Sequence, residues 1–84
     1  MTEIKNQYDS EGKKDGYWEW YYNNGTLMCR GNYINGDYDG YWEEYYGDGN
    51  TWSKGNFING TRDGYWEFYN RDGRLDEIIF YDNN

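Results

Sequence analysis

Hydrophobic and polar positions along this chain alternate with the two-residue period of an extended strand, and no window carries the period of about 3.6 that marks a helix. Three aromatic runs, "YWEWYY", "YWEEYY" and "YWEFYN", each precede a turn signal at Asn24-Gly25, Asp48-Gly49 or Asp72-Gly73. A second extended run follows each turn: "LMCRGNYI", "TWSKGNFI" and "LDEIIFYD". Asn-Gly and Asp-Gly favour two-residue type I′ hairpins, whose central residues both need positive φ. Each aromatic run and its successor therefore predict one β-hairpin.

The hairpins repeat. "DGYWEWYYNNG" from Asp15 returns 24 residues later as "DGYWEEYYGDG" and 24 later again as "DGYWEFYNRDG". The units are residues 12–35, 36–59 and 60–83, each 24 long, preceded by a lead-in strand over 1–11, all in one domain 1–84. Gly-x-x-Asp-Gly segments are expected to turn the chain from one unit to the next.

A turn at Asn24-Gly25 sets a register in which Asn23 faces Thr26, Tyr21 faces Met28 and Glu19 faces Arg30. Trp18 then faces Gly31 and Trp42 faces Gly55, so that a large ring covers a bare strand glycine. Glu43 faces Lys54, a second opposite-charge pair across strands. In the third unit Ile78 faces Glu67 and Ile79 faces Trp66, which leaves Glu67 unpaired. Alternation puts Trp18, Trp20, Trp42, Phe57, Trp66 and Phe68 on one face. Tyr17, Glu19, Tyr41, Glu43, Tyr65 and Glu67 fall on the other, with Met28, Trp52, Ile34 and Ile58. The predicted fold is all-β: an elongated, twisted antiparallel meander of about six to seven strands without helices, whose units touch only their neighbours.

Composition changes that picture in one respect. The chain has no Ala, Val or Pro, five Ile and two Leu, but twelve Tyr and five Trp. Its apolar material is aromatic, which suits a half-wet sheet surface better than a dry core. The net charge of −8 disfavours direct binding of nucleic acid or anionic lipid and favours a basic partner. No signal-like or membrane-length apolar run occurs, and the single Cys29 has no internal disulfide partner, which predicts a cytoplasmic protein.

On "DGYWEWYYNNGTLMCRGNYING" the chain resembles the MORN-repeat variant common in bacterial proteins, with its glycine, aromatic pair, Asn-Gly and closing aromatic-x-Asn-Gly. Three such units cover residues 12 to 84, and the third lacks the closing glycine, as a capping unit does. The resemblance implies a twisted antiparallel sheet used as a protein-interaction module, and some bacterial relatives are described as antitoxin-like partners of toxins. Phosphoinositide contact, proposed for eukaryotic relatives, is disfavoured by the acidity of this chain.

Candidate chemistry is sparse. There is no histidine, and neither Cys29 nor any Ser or Thr has an activating partner, so no catalytic site is expected. "NGDYDG", residues 35–40, matches the start of a calcium loop, but Tyr46 stands where the bidentate Glu belongs. No metal or cofactor site is predicted. The row Glu19, Glu43, Glu67 has the wide spacing of alternate strands and reads as cross-strand pairing rather than a carboxylate dyad.

The best function reading is a non-enzymatic acidic binding module of antitoxin, immunity or inhibitor type. It would occlude a basic or hydrophobic surface of a partner protein. Two other readings are a phage-type anti-defence inhibitor acting as a DNA mimic, and an oligomeric sink for a nucleotide-like ligand held in aromatic pockets. A homodimer or higher homo-oligomer is a further expectation. Positions that differ between copies are where a partner is told apart: Trp20, Glu44 and Phe68 in one phase, and Met28, Trp52 and Asp76 in another. The candidate contacts are Trp20, Glu44, Phe68, Trp52, Tyr45, Tyr69, Glu67, Asp37 and Asp39.

Overall fold

The structure, a computed structural model, describes residues 5–82. Seven strands form one open antiparallel sheet in sequence order: β1 (Gln7–Tyr8), β2 (Lys14–Tyr21), β3 (Leu27–Ile34), β4 (Asp37–Tyr45), β5 (Thr51–Ile58), β6 (Thr61–Tyr69) and β7 (Leu75–Tyr81). The described residues contain no helix. Part of the predicted lead-in strand, residues 1–4, lies outside the described residues. The sheet is a twisted plate of 40 × 39 × 21 Å with a radius of gyration of 13.9 Å. A compact domain of this length would have about 12 Å, so the larger value fits a single curved layer.

Both kinds of turn differ from the expected ones. Tyr22 N–H donates to Thr26 O and Gly25 N–H to Tyr22 O, so the loop is three residues long. It is a type I turn whose third residue, Gly25 at φ 89°, forms a bulge. Asn24 therefore does not need positive φ, Tyr22 rather than Asn23 pairs with Thr26, and the register steps by one. Tyr21 pairs with Leu27, and Met28 is bulged out of the ladder. The second unit repeats this, with Tyr45 paired to Thr51 and Trp52 bulged. The type I′ turns lie between the units instead: Asn35-Gly36 at φ 53° and 82°, and Asn59-Gly60 at 51° and 81°. Asp15-Gly16 and its copies are not turns. They lie inside β2, β4 and β6, where Gly16, Gly40 and Gly64 hold φ near 75°. At Gly40 and Gly64 this left-handed kink coincides with a break in the pairing to the preceding strand.

The core lies on one face and is aromatic: Trp18, Tyr33, Trp42, Phe57 and Trp66, with Cys29, Phe68 and Tyr81 packed against it. Its rings meet edge to face, as in Tyr33–Trp42 at 5.2 Å and Phe57–Trp66 at 4.9 Å. Gly31 does pair with Trp18, and Gly55 with Trp42. The covering ring, however, comes from the following unit. A Cβ at Gly31 would lie 2.3 Å from Trp42 Cδ2, and one at Gly55 would lie 2.4 Å from Trp66 Cδ2. Each indole then donates across the same seam, Trp42 to Asn32 O and Trp66 to Asn56 O, at 3.0 and 2.9 Å. Residues 14, 38 and 62 roof these rings. Lys14 lies over Trp18, Tyr38 stands edge-on to Trp42 and Arg62 lies over Trp66.

Candidate functional site

One row of side chains crosses the core face through every repeat: Trp20, Cys29, Glu44, Ser53, Phe68 and Glu77 are successive cross-strand partners from β2 to β7. Three of the sequence-predicted residues, Trp20, Glu44 and Phe68, are thus brought into one line. Trp20 stacks on Trp18 at 5.3 Å and Phe68 on Trp66 at 6.3 Å. The middle unit breaks the series, because a carboxylate stands where its neighbours carry a ring.

Glu44 lines an open groove of about 540 Å³ with Cys29, Tyr38, Trp42, Phe57, Arg62 and Tyr81. Its carboxyl is pushed above the usual range by burial, an effect that the guanidinium of Arg62 partly offsets. Burial pushes the Cys29 thiol up to about 11, with Glu44 adding to the shift, so this sulfur stays protonated and is a poor nucleophile. Ser53, 1 % exposed, sits between Glu44 and Phe68, and its Oγ is buried without a hydrogen-bond partner. Sequence reasoning missed Cys29, Ser53 and Arg62 as part of this site. Their common phase with Glu77 and with Lys14 and Tyr38, 24 residues apart, was the available signal.

The other predicted contacts belong to the opposite face or its edges. There the pairing order is Glu19, Arg30, Glu43, Lys54, Glu67, Ile78, an alternation of charge that ends in an apolar residue. The ion pairs of this row form across the seams between units: Lys5–Glu19 at 2.6 Å, Arg30–Glu43 at 2.7 Å and Lys54–Glu67 at 3.6 Å. Glu67 is therefore paired, contrary to expectation, and Glu19 takes its cation from the lead-in. Tyrosine hydroxyls complete the row. Tyr17 and Tyr21 donate to Glu19, Tyr41 and Tyr45 to Glu43, and Tyr69 to Glu67.

The bond from Lys5, then those from Tyr21 and Tyr17, hold the Glu19 pKa at about 2. Burial pushes the Glu43 carboxyl up, but hydrogen bonds from Tyr45, Arg30 and Tyr41 outweigh it and leave the pKa below its usual value. Tyr45, Tyr69 and Glu67 are thus engaged in holding the sheet together. Trp52 stays exposed at the bulge beside Tyr46. Asp37 and Asp39 flank Tyr38 on β4, directly after the Asn35-Gly36 turn, so "NGDYDG" is a hairpin rather than an ion loop. Among the described residues no group of three or more His, Cys, Asp or Glu could hold a metal ion.

The family model described as MORN repeat variant matches residues 14–35, 38–59 and 62–83. No curated protein and no solved structure matches the chain.

Proposed function

This chain belongs to the MORN-repeat variant family, and we propose that it is a non-enzymatic cytoplasmic protein-binding module of antitoxin, immunity or inhibitor type. It docks a basic surface of a partner protein on its core face. The observation that carries this reading is Glu44: a half-buried carboxylate in the middle of an aromatic row, at the wall of an open groove. A basic side chain entering there would meet a partly desolvated negative charge and aromatic faces together, a pairing that favours cations. The opposite face suits the role of scaffold. Its carboxylates are already paired with Lys5, Arg30 and Lys54 and accept from the tyrosines, which leaves little charge to satisfy a partner. The same neutralisation speaks against a DNA mimic built on that row, because mimicry requires carboxylates as open as phosphates.

Affinity capture from the source cells with the wild-type chain, Glu44→Lys and Trp52→Ala tests the reading. A partner with a basic docking surface, retained by wild type and Trp52→Ala and lost by Glu44→Lys, is the expected outcome. Recovery of the bait alone by wild type contradicts it.

A further inference from the structure

The three units meet cations differently on the core face. In the first, Lys14 lies over Trp18, Trp20 and Tyr33 at 5.5, 5.7 and 5.8 Å. In the third, Arg62 lies over Trp66, Phe68 and Tyr81 at 4.8, 5.6 and 5.8 Å. Each of these units thus brings a cation of its own to a pair of rings two residues apart. The middle unit has neither part of that arrangement. Tyr38 stands in the phase of Lys14 and Arg62, and Glu44 in the phase of Trp20 and Phe68. Tyr38 closes over Trp42 and Phe57, at 4.6 and 4.8 Å between centroids.

Glu44 is left as a half-buried carboxylate with neither a hydrogen bond nor an ion pair among the described residues. Its cross-strand neighbours Cys29 and Ser53 are both small, which keeps the space above it open as the groove of about 540 Å³. A carboxylate that has lost part of its water is unfavourable until it meets a cation. Units 1 and 3 supply that cation from their own chain, and the middle unit does not. The charge of Arg62 helps to keep Glu44 ionised and also repels an incoming cation. The approach that avoids this repulsion lies on the β3 side of Glu44, beside Cys29.

We propose that one arginine side chain of the partner protein enters this groove, with its guanidinium paired to Glu44 and its methylene stem along the aromatic wall. This rests on the docking of a basic surface on the core face and narrows it to one side chain. Both Glu44 carboxylate oxygens are open to a donor, and the guanidinium fork can meet two carboxylate oxygens at once, whereas an ammonium is a point charge. Guanidinium is also the more weakly hydrated of the two, which suits a site that is only partly dry. Its apolar stem covers ring surface while the charged head stays at the mouth.

The probe is N-acetylarginine methylamide, titrated to roughly 20 mM into the purified, isotope-labelled chain, because a ligand of this size reaches a dissociation constant near 1 mM. A saturable shift of the Cys29 and Glu44 amide signals and of the Trp42 indole signal is expected in the NMR spectrum. The lysine counterpart should bind about fivefold more weakly, the worth of one hydrogen bond, and Glu44→Gln should weaken the arginine probe about tenfold or more. Glu67→Gln, on the opposite face, should leave it unchanged. Outer-face amide signals that match wild type establish that Glu44→Gln is folded, and the comparison of the two probes needs no variant. The assignment is overturned by a wild-type chain without a saturable shift, by equal binding of the lysine probe, or by full binding in Glu44→Gln. Such a result beside a captured partner that depends on Glu44 removes the arginine and leaves the docking standing. Binding of the arginine probe as predicted, with capture of the bait alone, removes the docking and keeps the guanidinium site.

Discussion

The indole of Trp42 faces Gly31 so closely that a Cβ on the glycine would stand 2.3–2.5 Å from three of its ring atoms. Trp42 belongs to the second unit and Gly31 to the first, so this contact, with Trp66 on Gly55, joins the repeats. Gly31→Ala or Gly55→Ala should each destabilise the protein by about 2–3 kcal/mol, the cost of overpacking a buried ring. Gly47→Ala, where nothing lies within 4 Å and φ is not positive, should stay within about 0.5 kcal/mol. Urea unfolding of the three variants measures the difference.

The outer carboxylates are unequal in the same way. Glu43 accepts from Arg30, Tyr41 and Tyr45 at 2.6–3.0 Å, whereas Glu67 has Tyr69 at 2.9 Å and Lys54 only at 3.6 Å. Glu43→Gln should cost about 1–2 kcal/mol and Glu67→Gln under about 0.5 kcal/mol, read from denaturant midpoints at pH 7.

Acid should unfold the sheet through the same row. Glu19 is lowered from 4.5 to about 2, so the unfolded chain binds its proton first as pH falls. Its contribution is whole above about 4.5 and is lost as pH drops towards 2. Glu43 shifts in the same direction. Glu44, raised by burial, has the opposite sign and gains on protonation. A pH series of urea midpoints should therefore fall between pH 4.5 and 2, and fall less in Glu19→Gln.

Cys29 should be a quiet thiol. Burial raises it from 9.0 to about 11, so at pH 8 its thiolate fraction is roughly 100-fold below that of the same group in unfolded chain. Reaction with a disulfide reagent should be slow in buffer and accelerate about that much in urea.

Much of this fold was legible in the sequence, because alternation and the 24-residue period together fix which residues share a strand and a face. Trp18 opposite Gly31, Glu43 opposite Lys54 and Ile79 opposite Trp66 were all read correctly as strand partners. What was not legible is which neighbour a side chain uses. Every inner strand has two, and a hairpin read from its turn supplies one of them. Arg30 has Glu19 on one side and Glu43 on the other, and its guanidinium goes to Glu43. The turn was misread for a related reason: Asn-Gly serves both a type I′ pair and a type I turn closed by a left-handed glycine. Only the loop length, Tyr22 to Thr26, distinguishes them. In the site, the phase shared by Trp20, Glu44 and Phe68 was visible. The groove beside Glu44 was not, because Arg62 and Tyr81 reach it only across strands distant in the chain.

In the proposed function a partner is held on the core face through Glu44 and not through the outer row. Titration calorimetry of the captured partner against wild type, Glu44→Lys, Trp20→Ala and Trp52→Ala distinguishes the two faces. An affinity loss of about 100-fold or more is expected for Glu44→Lys, of roughly 2–4 kcal/mol for the interface aromatic in Trp20→Ala, and little change for Trp52→Ala. Full affinity in Glu44→Lys, with a loss confined to Trp52→Ala, would contradict it.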